Sequence, residues 1–208
     1  TDVNLRRAWE LNYQNGIPGL KAQLKVEDFQ TLDKTIKDAD KPYARLPQFL
    51  LNYVTGDPQG LQYEFNNDTA YFKKSINDDS ALESSGTRIY NQFAVRYNYI
   101  TPSWFYAIPE VSVRSINTFY DQDSKESLGF SKSDDLEKSV VVPQFTLATG
   151  VTFEKEGKYL QSISPRAFYA YSPYKKQDNY PNFDSTTASI NYDQLFNPYR
   201  FYGHDRLD

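Results

Sequence analysis

The chain has 208 residues, of which 39% are hydrophobic and 16% aromatic, and its formal net charge at pH 7 is −4. The mixed charge provides no basic footprint for nucleic acid, and the absence of cysteine excludes disulfides and thiolate metal ligands. No run of 18 apolar residues is present, which excludes a transmembrane helix, whereas the length fits one domain or about ten membrane-crossing strands of roughly 9–11 residues each.

The aromatic residues are numerous for a chain with such a polar average. There are 18 Tyr and 14 Phe, yet the mean hydropathy is −0.72. Soluble cores are built mainly from aliphatic residues. The wall of a transmembrane β-barrel instead alternates lipid-facing and water-facing residues and carries aromatic girdles at both interfaces. The composition therefore favours a barrel wall, with a Tyr-rich soluble β-sandwich as the alternative.

Alternation of apolar and polar residues begins at the N-terminus. In residues 3–14 the odd positions are apolar except Arg7, which is expected to lie at a membrane interface. From Leu20 to Glu27 every even position is apolar and every odd position is polar. A period of two predicts a strand with one apolar face and one polar face, and it cannot form a single apolar stripe on a helix.

Eight strands are predicted along the chain. Their expected bounds are 3–14, 19–29, 46–55, 61–73, 87–100, 104–119, 139–154 and 159–172. The connections alternate: 15–18, 56–60, 101–103 and 155–158 are short turns, whereas 30–45, 74–86, 120–138 and 173–208 are long and polar. A bacterial outer-membrane barrel sorts its connections in this way, with short periplasmic turns and long extracellular loops. The predicted fold class is therefore all-β, an antiparallel transmembrane β-barrel segment of about eight strands.

Four prolines lie inside or at the start of these strands, at positions 47, 109, 143 and 165. Proline cannot donate a hydrogen bond to a strand ladder. Each is therefore expected at a bulge, a strand end or a kink. No signal peptide precedes the first strand pattern, so an outer-membrane origin implies a mature form or an internal fragment.

The C-terminal fifth carries a series of short motifs. Pro165-Arg166 opens a strand with Tyr169 and Tyr171, and Phe183-Asp184-Ser185 and a Leu-Phe pair at 195–196 follow. The series ends in a motif of Arg200, Gly203, Asp205 and Arg206. Together with Arg45-Leu46-Pro47-Gln48 and residues 141–145, this pattern resembles the barrel of the LptD family, also called OstA or Imp.

The resemblance implies a partial barrel domain spanning residues 1–208, with an extracellular loop at 173–208. In the family, an N-terminal jellyroll receives lipopolysaccharide from a periplasmic bridge protein, and a 26-stranded barrel is plugged by the lipoprotein LptE. The family's cysteines lie near the two ends of the full chain, so this chain is expected to be an internal stretch. Its implied role is non-enzymatic lipopolysaccharide assembly at the outer membrane of a Gram-negative bacterium, with lipopolysaccharide, an LptE-like plug and the bridge protein as partners.

Two sets of wall residues are candidates for function. Six cations on polar registers could contact lipopolysaccharide or a plug, or form structural ion pairs with Glu27, Glu64 and Glu110. These cations are Lys21, Lys25, Arg88, Arg96, Arg114 and Arg166. Six aromatic residues near strand ends are expected to form an interfacial girdle. They are Trp9, Tyr13, Tyr53, Tyr99, Trp104 and Phe105.

Polar loop residues provide weaker candidates. The acidic residues at 78–79, 134–135 and 137 are interpreted as solvated loop charge instead of a metal site, and no cofactor is expected. His204 could join Asp205 or Asp184 and a serine in a catalytic arrangement. The favoured interpretation has no catalytic residue: Asp184, Ser185, Asp205 and Arg206 stabilise the loop through charge-assisted hydrogen bonds. A small adhesin, an outer-membrane phospholipase and a soluble carbohydrate-binding β-sandwich are the alternative functions.

Overall fold

The computed structural model describes residues 3–33, 35–37, 40–74, 85–102, 104–121, 136–177, 180, 182–188 and 196–207. Thirteen strands lie in this part of the chain. They are β1 (Asn4–Tyr13), β2 (Leu20–Thr31), β3 (Ala44–Gly56), β4 (Leu61–Lys73), β5 (Ser85–Tyr97), β6 (Tyr99–Ile100), β7 (Phe105–Tyr120), β8 (Glu137–Val151), β9 (Phe153–Lys155), β10 (Gln161–Ile163), β11 (Arg166–Tyr171), β12 (Thr186–Thr187) and β13 (Phe201–Tyr202). Within the described residues, no helix has the length and apolar character needed to cross a membrane.

Nine of the described strands form one antiparallel sheet. Its order is β1-β2-β3-β4-β5-β7-β8-β11, and β6 pairs with β7 beside β5. Each long strand therefore pairs with its neighbour in sequence, as an up-and-down meander does. The predicted all-β antiparallel class is confirmed. The described sheet is open, with β1 and β11 at its edges.

Three predicted strands are divided in the structure. The strand expected at 87–100 is interrupted at Asn98, whose amide donates to Gly60 O at 2.8 Å instead of to β7. The strands expected at 139–154 and 159–172 each end in a short extension, and these extensions, β9 and β10, pair only with each other. The division before β11 falls at Pro165, which has no amide hydrogen to donate to a ladder.

The two faces of the sheet have opposite polarity, because the strand registers place apolar residues opposite apolar residues and polar residues opposite polar residues. Directly opposite residues share a face. One such row joins Tyr53, Phe65, Phe93 and Val113. The neighbouring row on the other face joins Asn52, Asn66, Gln92 and Arg114. We call the first the outward face and the second the inward face.

Large hydrophobic side chains on the outward face are exposed. Examples with at least 37% exposure are Leu5, Trp9, Leu11, Tyr13, Phe49, Tyr63, Phe65, Phe93, Val111, Val113, Phe145 and Tyr171. The buried charged and amide side chains of the long strands lie on the inward face instead, among them Gln48, Asp68 and Gln144. This distribution is the reverse of that in a soluble sheet protein.

The prolines occupy positions where no ladder hydrogen bond is lost. Pro47 lies at a register shift in β3 between Arg45 and Gln48, as expected. Pro109 and Pro143 differ from the expectation because they lie in regular registers of β7 and β8. Pro143 O accepts a bond from Ser172 Oγ beyond the end of β11, so its backbone faces an unpaired edge. Pro109 faces the interruption between β5 and β6.

The register between β4 and β5 can be tested with cysteine pairs, because the chain has none of its own. Phe65 is directly opposite Phe93, whereas Val95 is opposite Tyr63. Opposite Cα atoms are about 4.5–5.5 Å apart and diagonal ones about 7–8 Å apart, and disulfides need about 4.4–6.8 Å. We therefore expect Phe65→Cys with Phe93→Cys to cross-link in cells, as measured by gel mobility without reductant. A matched pair, Phe65→Cys with Val95→Cys, should cross-link several-fold less, and equal yields would contradict the register.

Candidate functional site

The segment that follows β11 returns to cover the inward face of the sheet. Two apolar clusters on that face each include one residue of this segment. Leu207 packs with Tyr90, Ile116, Val140 and Val142, and Phe183 packs with Ala70, Phe72 and Tyr120. The rings of Phe72 and Phe183 are stacked with centroids 4.6 Å apart. The segment is therefore part of the core of the described structure.

Arg88 is the centre of contact between the sheet and this segment. Its side chain is fully buried, and its guanidinium reaches three carboxylates. Nη1 lies 2.5 Å from Asp184 Oδ1 and 2.7 Å from Asp205 Oδ1, and Nη2 lies 3.0 Å from Asp184 Oδ2. Asp68 Oδ2 on β4 is 3.5 Å away, and the guanidinium carbon stands 4.7 Å from the Phe72 ring. We call Arg88 with Asp68, Asp184 and Asp205 the arginine cluster.

The charges of the arginine cluster continue along the inward face. Arg45 on β3 lies 3.3 Å from Asp184 and also donates to Glu27 on β2 at 2.7 Å. Glu27 accepts further contacts from Lys25 at 2.5 Å and Arg6 at 2.9 Å. Burial disfavours ionisation of Asp184, but its hydrogen bonds to Arg88 and the charges of Arg88 and Arg45 outweigh that effect. The pKa of Asp184 is consequently held well below its usual value, so the carboxylate is ionised.

A compact turn presents the two aspartates to Arg88. Asp205 Oδ2 accepts the amides of Phe183, Asp184 and Ser185 at 2.9, 2.7 and 3.1 Å. Ser185 Oγ accepts the Asp205 amide at 2.7 Å in return. Gly203 has a φ of 83°, and a Cβ there would lie 2.7 Å from Asp184 O. Only glycine fits this close approach in the left-handed region without strain.

Other residues of the segment extend the contact toward β7 and β8. Arg206 Nη2 donates to Tyr180 O at 2.8 Å, and Arg114 donates to Leu207 O at 3.1 Å. The Arg114 guanidinium also stands 4.8 Å from the Tyr199 ring. Arg200 of the same motif stands over the ring of its neighbour Phe201, with the guanidinium carbon 5.4 Å from the centroid.

His204 does not form the catalytic arrangement considered from the sequence. Its ring stacks on Tyr90 with centroids 3.9 Å apart, and Nε2 is 3.7 Å from Asp68. Burial and the positive charge of Arg88 lower the pKa of His204, which favours the neutral imidazole. Ser185 Oγ is engaged by the Asp205 amide and not by His204. The acidic residues at 78–79 and 134–135 lie outside the described residues, and Glu137 begins β8 as an exposed residue.

A cavity of about 540 Å³ lies beside the cluster on the inward face. Its lining is rich in amides, including Asn52, Asn66 and Gln92, and also contains Lys21 and His204. Asn52 Nδ2 donates to Asn66 Oδ1 at 2.6 Å, and Gln92 Nε2 donates to Tyr199 OH at 3.1 Å. Such a cavity provides neutral hydrogen-bonding groups, one exposed cation, Lys21, and one carboxylate, Asp68.

The remaining predicted cations are separate from the cluster. Lys25 pairs with Glu27, and Arg96 pairs with both Glu64 and Glu110. Arg166 is exposed at the start of β11. Lys21, Arg88, Arg96 and Arg114 share the inward face, and Arg88 is the one seen paired with the motif aspartates Asp184 and Asp205.

The predicted girdle aromatics lie on or beside the outward face near the short connections. Trp9, Tyr13, Tyr99 and Trp104 are between 43% and 58% exposed. Tyr53 lies in the row with Phe65, and the Phe105 ring is 6.1 Å from Tyr99 and 5.7 Å from Trp104. Trp9 differs in lying four residues before the end of β1.

Sequence reasoning missed Asp68 and Arg45 as members of this network. Asp68 gives no local signal, because the alternation in β4 already leads one to expect a polar residue at its position. The useful signal was the pair of motif aspartates, Asp184 and Asp205, which require a cationic partner when buried. The sequence does not specify which of several inward cations that partner is.

Fold and site together define a class of protein: an antiparallel β-sheet with apolar side chains outside and buried ion pairs inside. Comparison with known proteins identifies the family. The model for LptD, described as LPS transport system D, matches residues 1–208, and the chain belongs to this family. It is 80% identical over 208 residues to the LPS-assembly protein LptD of Acinetobacter baumannii and 73% identical to that of Acinetobacter baylyi. The LPS-assembly protein LptD of Psychrobacter arcticus is 42% identical over 99% of the chain.

The chain is shorter than these relatives. All of it aligns with the two Acinetobacter proteins, but it spans only 25% of the length of each and 24% of the length of the Psychrobacter protein. The activity of the whole relatives therefore applies to this chain only as a proposal.

Replacing Arg88 should detach the C-terminal segment. In Arg88→Leu, Asp184 and Asp205 would be buried without their cation, which typically costs about 3–5 kcal/mol. Labelling of a Leu207→Cys reporter by a maleimide should then accelerate about a hundredfold or more, because Leu207 is 1% exposed when the segment is bound. The exposed Arg166→Leu control should leave the labelling rate unchanged. Equal rates in both variants would contradict the central role of Arg88.

Gly203 can be tested against a matched glycine. Gly203→Ala introduces a Cβ into a left-handed position and against Asp184 O, so labelling of the Leu207→Cys reporter should accelerate about tenfold. Gly157→Ala places its Cβ 3.9 Å from the nearest atom and should have no measurable effect. A similar acceleration in both variants would indicate that general loosening, and not the close approach at Gly203, is responsible.

Proposed function

We propose that this chain is a section of an outer-membrane β-barrel wall in a translocon that assembles lipopolysaccharide into the outer leaflet. The observation that carries the proposal is the reversed polarity of the sheet, within a chain of the LptD family. Exposed Phe, Tyr and Val side chains on the outward face would contact lipid, and ionic side chains would line a wet interior. The chemistry is transport without a covalent step. Family membership favours this function over an adhesin, a phospholipase or a soluble β-sandwich.

The outward face also suggests how the wall is oriented. On β4, Leu61, Tyr63 and Phe65 are followed toward the long connection by Asn67 and Thr69. Asn67 Nδ2 donates to Asn91 Oδ1 on β5 at 2.9 Å, and Ser115 lies in the same row on β7. On β4, β5 and β7 the strands therefore continue past the apolar belt, which lies toward the short turns. This fits short periplasmic turns and long connections that rise above the outer leaflet.

The inward face would contribute to the barrel interior. The C-terminal segment fills part of that interior through the arginine cluster, and the amide-lined cavity beside it stays open. We propose lipopolysaccharide as the substrate, because the relatives are named LPS-assembly proteins. An LptE-like lipoprotein inside the barrel and a periplasmic bridge protein, reached through a domain outside this chain, are the proposed protein partners.

Membrane placement is tested by moving one charge along the same strand. Val113 lies in the outward apolar belt of β7, and Asn117 lies on the same face in the polar band beyond it. An arginine near the middle of the lipid belt costs about 2–4 kcal/mol, but near the interface only about 0–1 kcal/mol. Val113→Arg should therefore sharply reduce the heat-modifiable, outer-membrane form of the full-length protein, and Asn117→Arg should not. Equal amounts of both variants in the outer membrane would contradict the proposed lipid-facing surface.

The transport role is tested by depleting the chromosomal gene that encodes the chain. Newly made lipopolysaccharide should then fail to reach the cell surface, as measured by pulse labelling and surface-specific modification. A plasmid copy should restore surface delivery, whereas one carrying Arg88→Leu should restore it less well. Normal delivery throughout depletion would contradict the proposed function.

A further inference from the structure

The wall has a gap on its outward side where β2 and β3 diverge. Pairing between these strands ends at Glu27 and Arg45, whereas β2 continues to pair with β1 as far as Asn4 and Thr31. The last residues of β2 are therefore separated from the chain that leads into β3. A cavity of about 290 Å³ occupies the gap, lined mainly by polar residues. The lining is Arg7, Asp28, Phe29, Gln30, Thr31, Lys41, Pro42 and Ala44.

The gap continues into a second depression of different character. This one measures about 320 Å³ and is lined by Trp9, Val26 and Ala8 beside Arg7 and Asp28. Trp9 and Val26 are opposite each other on the outward face, and Trp9 is 57% exposed. The polar cavity and the apolar depression thus meet at Arg7. The apolar depression lies on the side of Arg7 that faces the short turn after β1.

Arg7 is placed to receive an anion. Its registered partner is Asp28, so it points to the outward face that is otherwise apolar on β1. One Nη2 contact to Asp28 Oδ2 at 3.4 Å is its only side-chain contact among the described residues, with both side chains well exposed. A guanidinium has five donors, so most remain available for a phosphate, which it binds in a fork geometry. Lys41 also lines the cavity and adds positive charge there, although its side chain is buried at 8% exposure.

From this geometry we infer that the gap between β2 and β3 binds the phosphorylated saccharide headgroup of a glycolipid in the outer leaflet. The inference rests on the proposed function, since it requires the outward face to contact membrane lipid. Arg7 would take the phosphate, with Lys41 adding positive charge from within the lining, and Asp28 and Gln30 would pair with sugar hydroxyls. The acyl chains would lie along Trp9 and Val26. No bond is made or broken.

Photo-crosslinking in living cells tests the site in the full-length protein. The photoreactive residue benzoylphenylalanine is placed at position 9, beside Arg7, or at position 119, another exposed outward aromatic on β7. Cross-linked glycolipid is detected by immunoblotting and its mass is measured. We expect the probe at position 9 to capture phosphorylated glycolipid. Arg7→Gln should reduce that capture about tenfold, the value of one charge-assisted contact of about 1.4 kcal/mol.

Controls separate this inference from the proposed function. The probe at position 119 should report no change in Arg7→Gln, and the exposed Lys155→Gln should not affect the probe at position 9. If the protein is folded in the outer membrane but position 9 captures only phospholipid, or captures glycolipid equally in Arg7→Gln, the headgroup site is overturned and the wall assignment stands. If no heat-modifiable form reaches the outer membrane, both are overturned.

Discussion

A fully buried guanidinium must have anionic partners, because an unpaired charge taken out of water costs several kcal/mol. Arg88 lies in the middle of the sheet, and two of its three carboxylates, Asp184 and Asp205, come from 96 and 117 residues further along the chain. The C-terminal segment cannot leave the inward face without breaking these pairs. Leu207 and Phe183 complete the two apolar clusters only because the segment is held there.

The turn that carries Asp184 and Asp205 holds both carboxylates against Arg88. Asp205 is committed to Arg88 through one oxygen and to three consecutive backbone amides through the other. Gly203 permits the close approach of the returning chain to Asp184, and Ser185 closes the turn on the Asp205 amide. Asp184 is then free to bind Arg88 with both oxygens and to reach Arg45. Four motif residues therefore serve one electrostatic contact.

The polarity of the wall explains why this contact lies inside. A sheet with exposed Phe, Tyr and Val on one face has only its other face for ionic groups, so charges concentrate there. The network from Arg6 through Glu27 and Arg45 to Asp184 crosses β1, β2 and β3 before it reaches Arg88 on β5. Partially buried pairs of this kind are screened less by salt than exposed ones.

Much of the sheet follows from the sequence, since alternation with a period of two is a local property and neighbouring strands pair through short turns. The strand order and the two faces were accessible in this way, whereas the motif residues Asp184, Ser185, Gly203 and Asp205 were found through the family resemblance. The break at Pro165 was expected from the proline itself, but the break at Asn98 was not, because it depends on how the strand meets its neighbours. Likewise, only the tertiary structure decided that Arg88 is the partner of the aspartates, and that the segment after β11 enters the inward face. Those contacts join residues about a hundred positions apart, and no local pattern specifies which buried charge meets which.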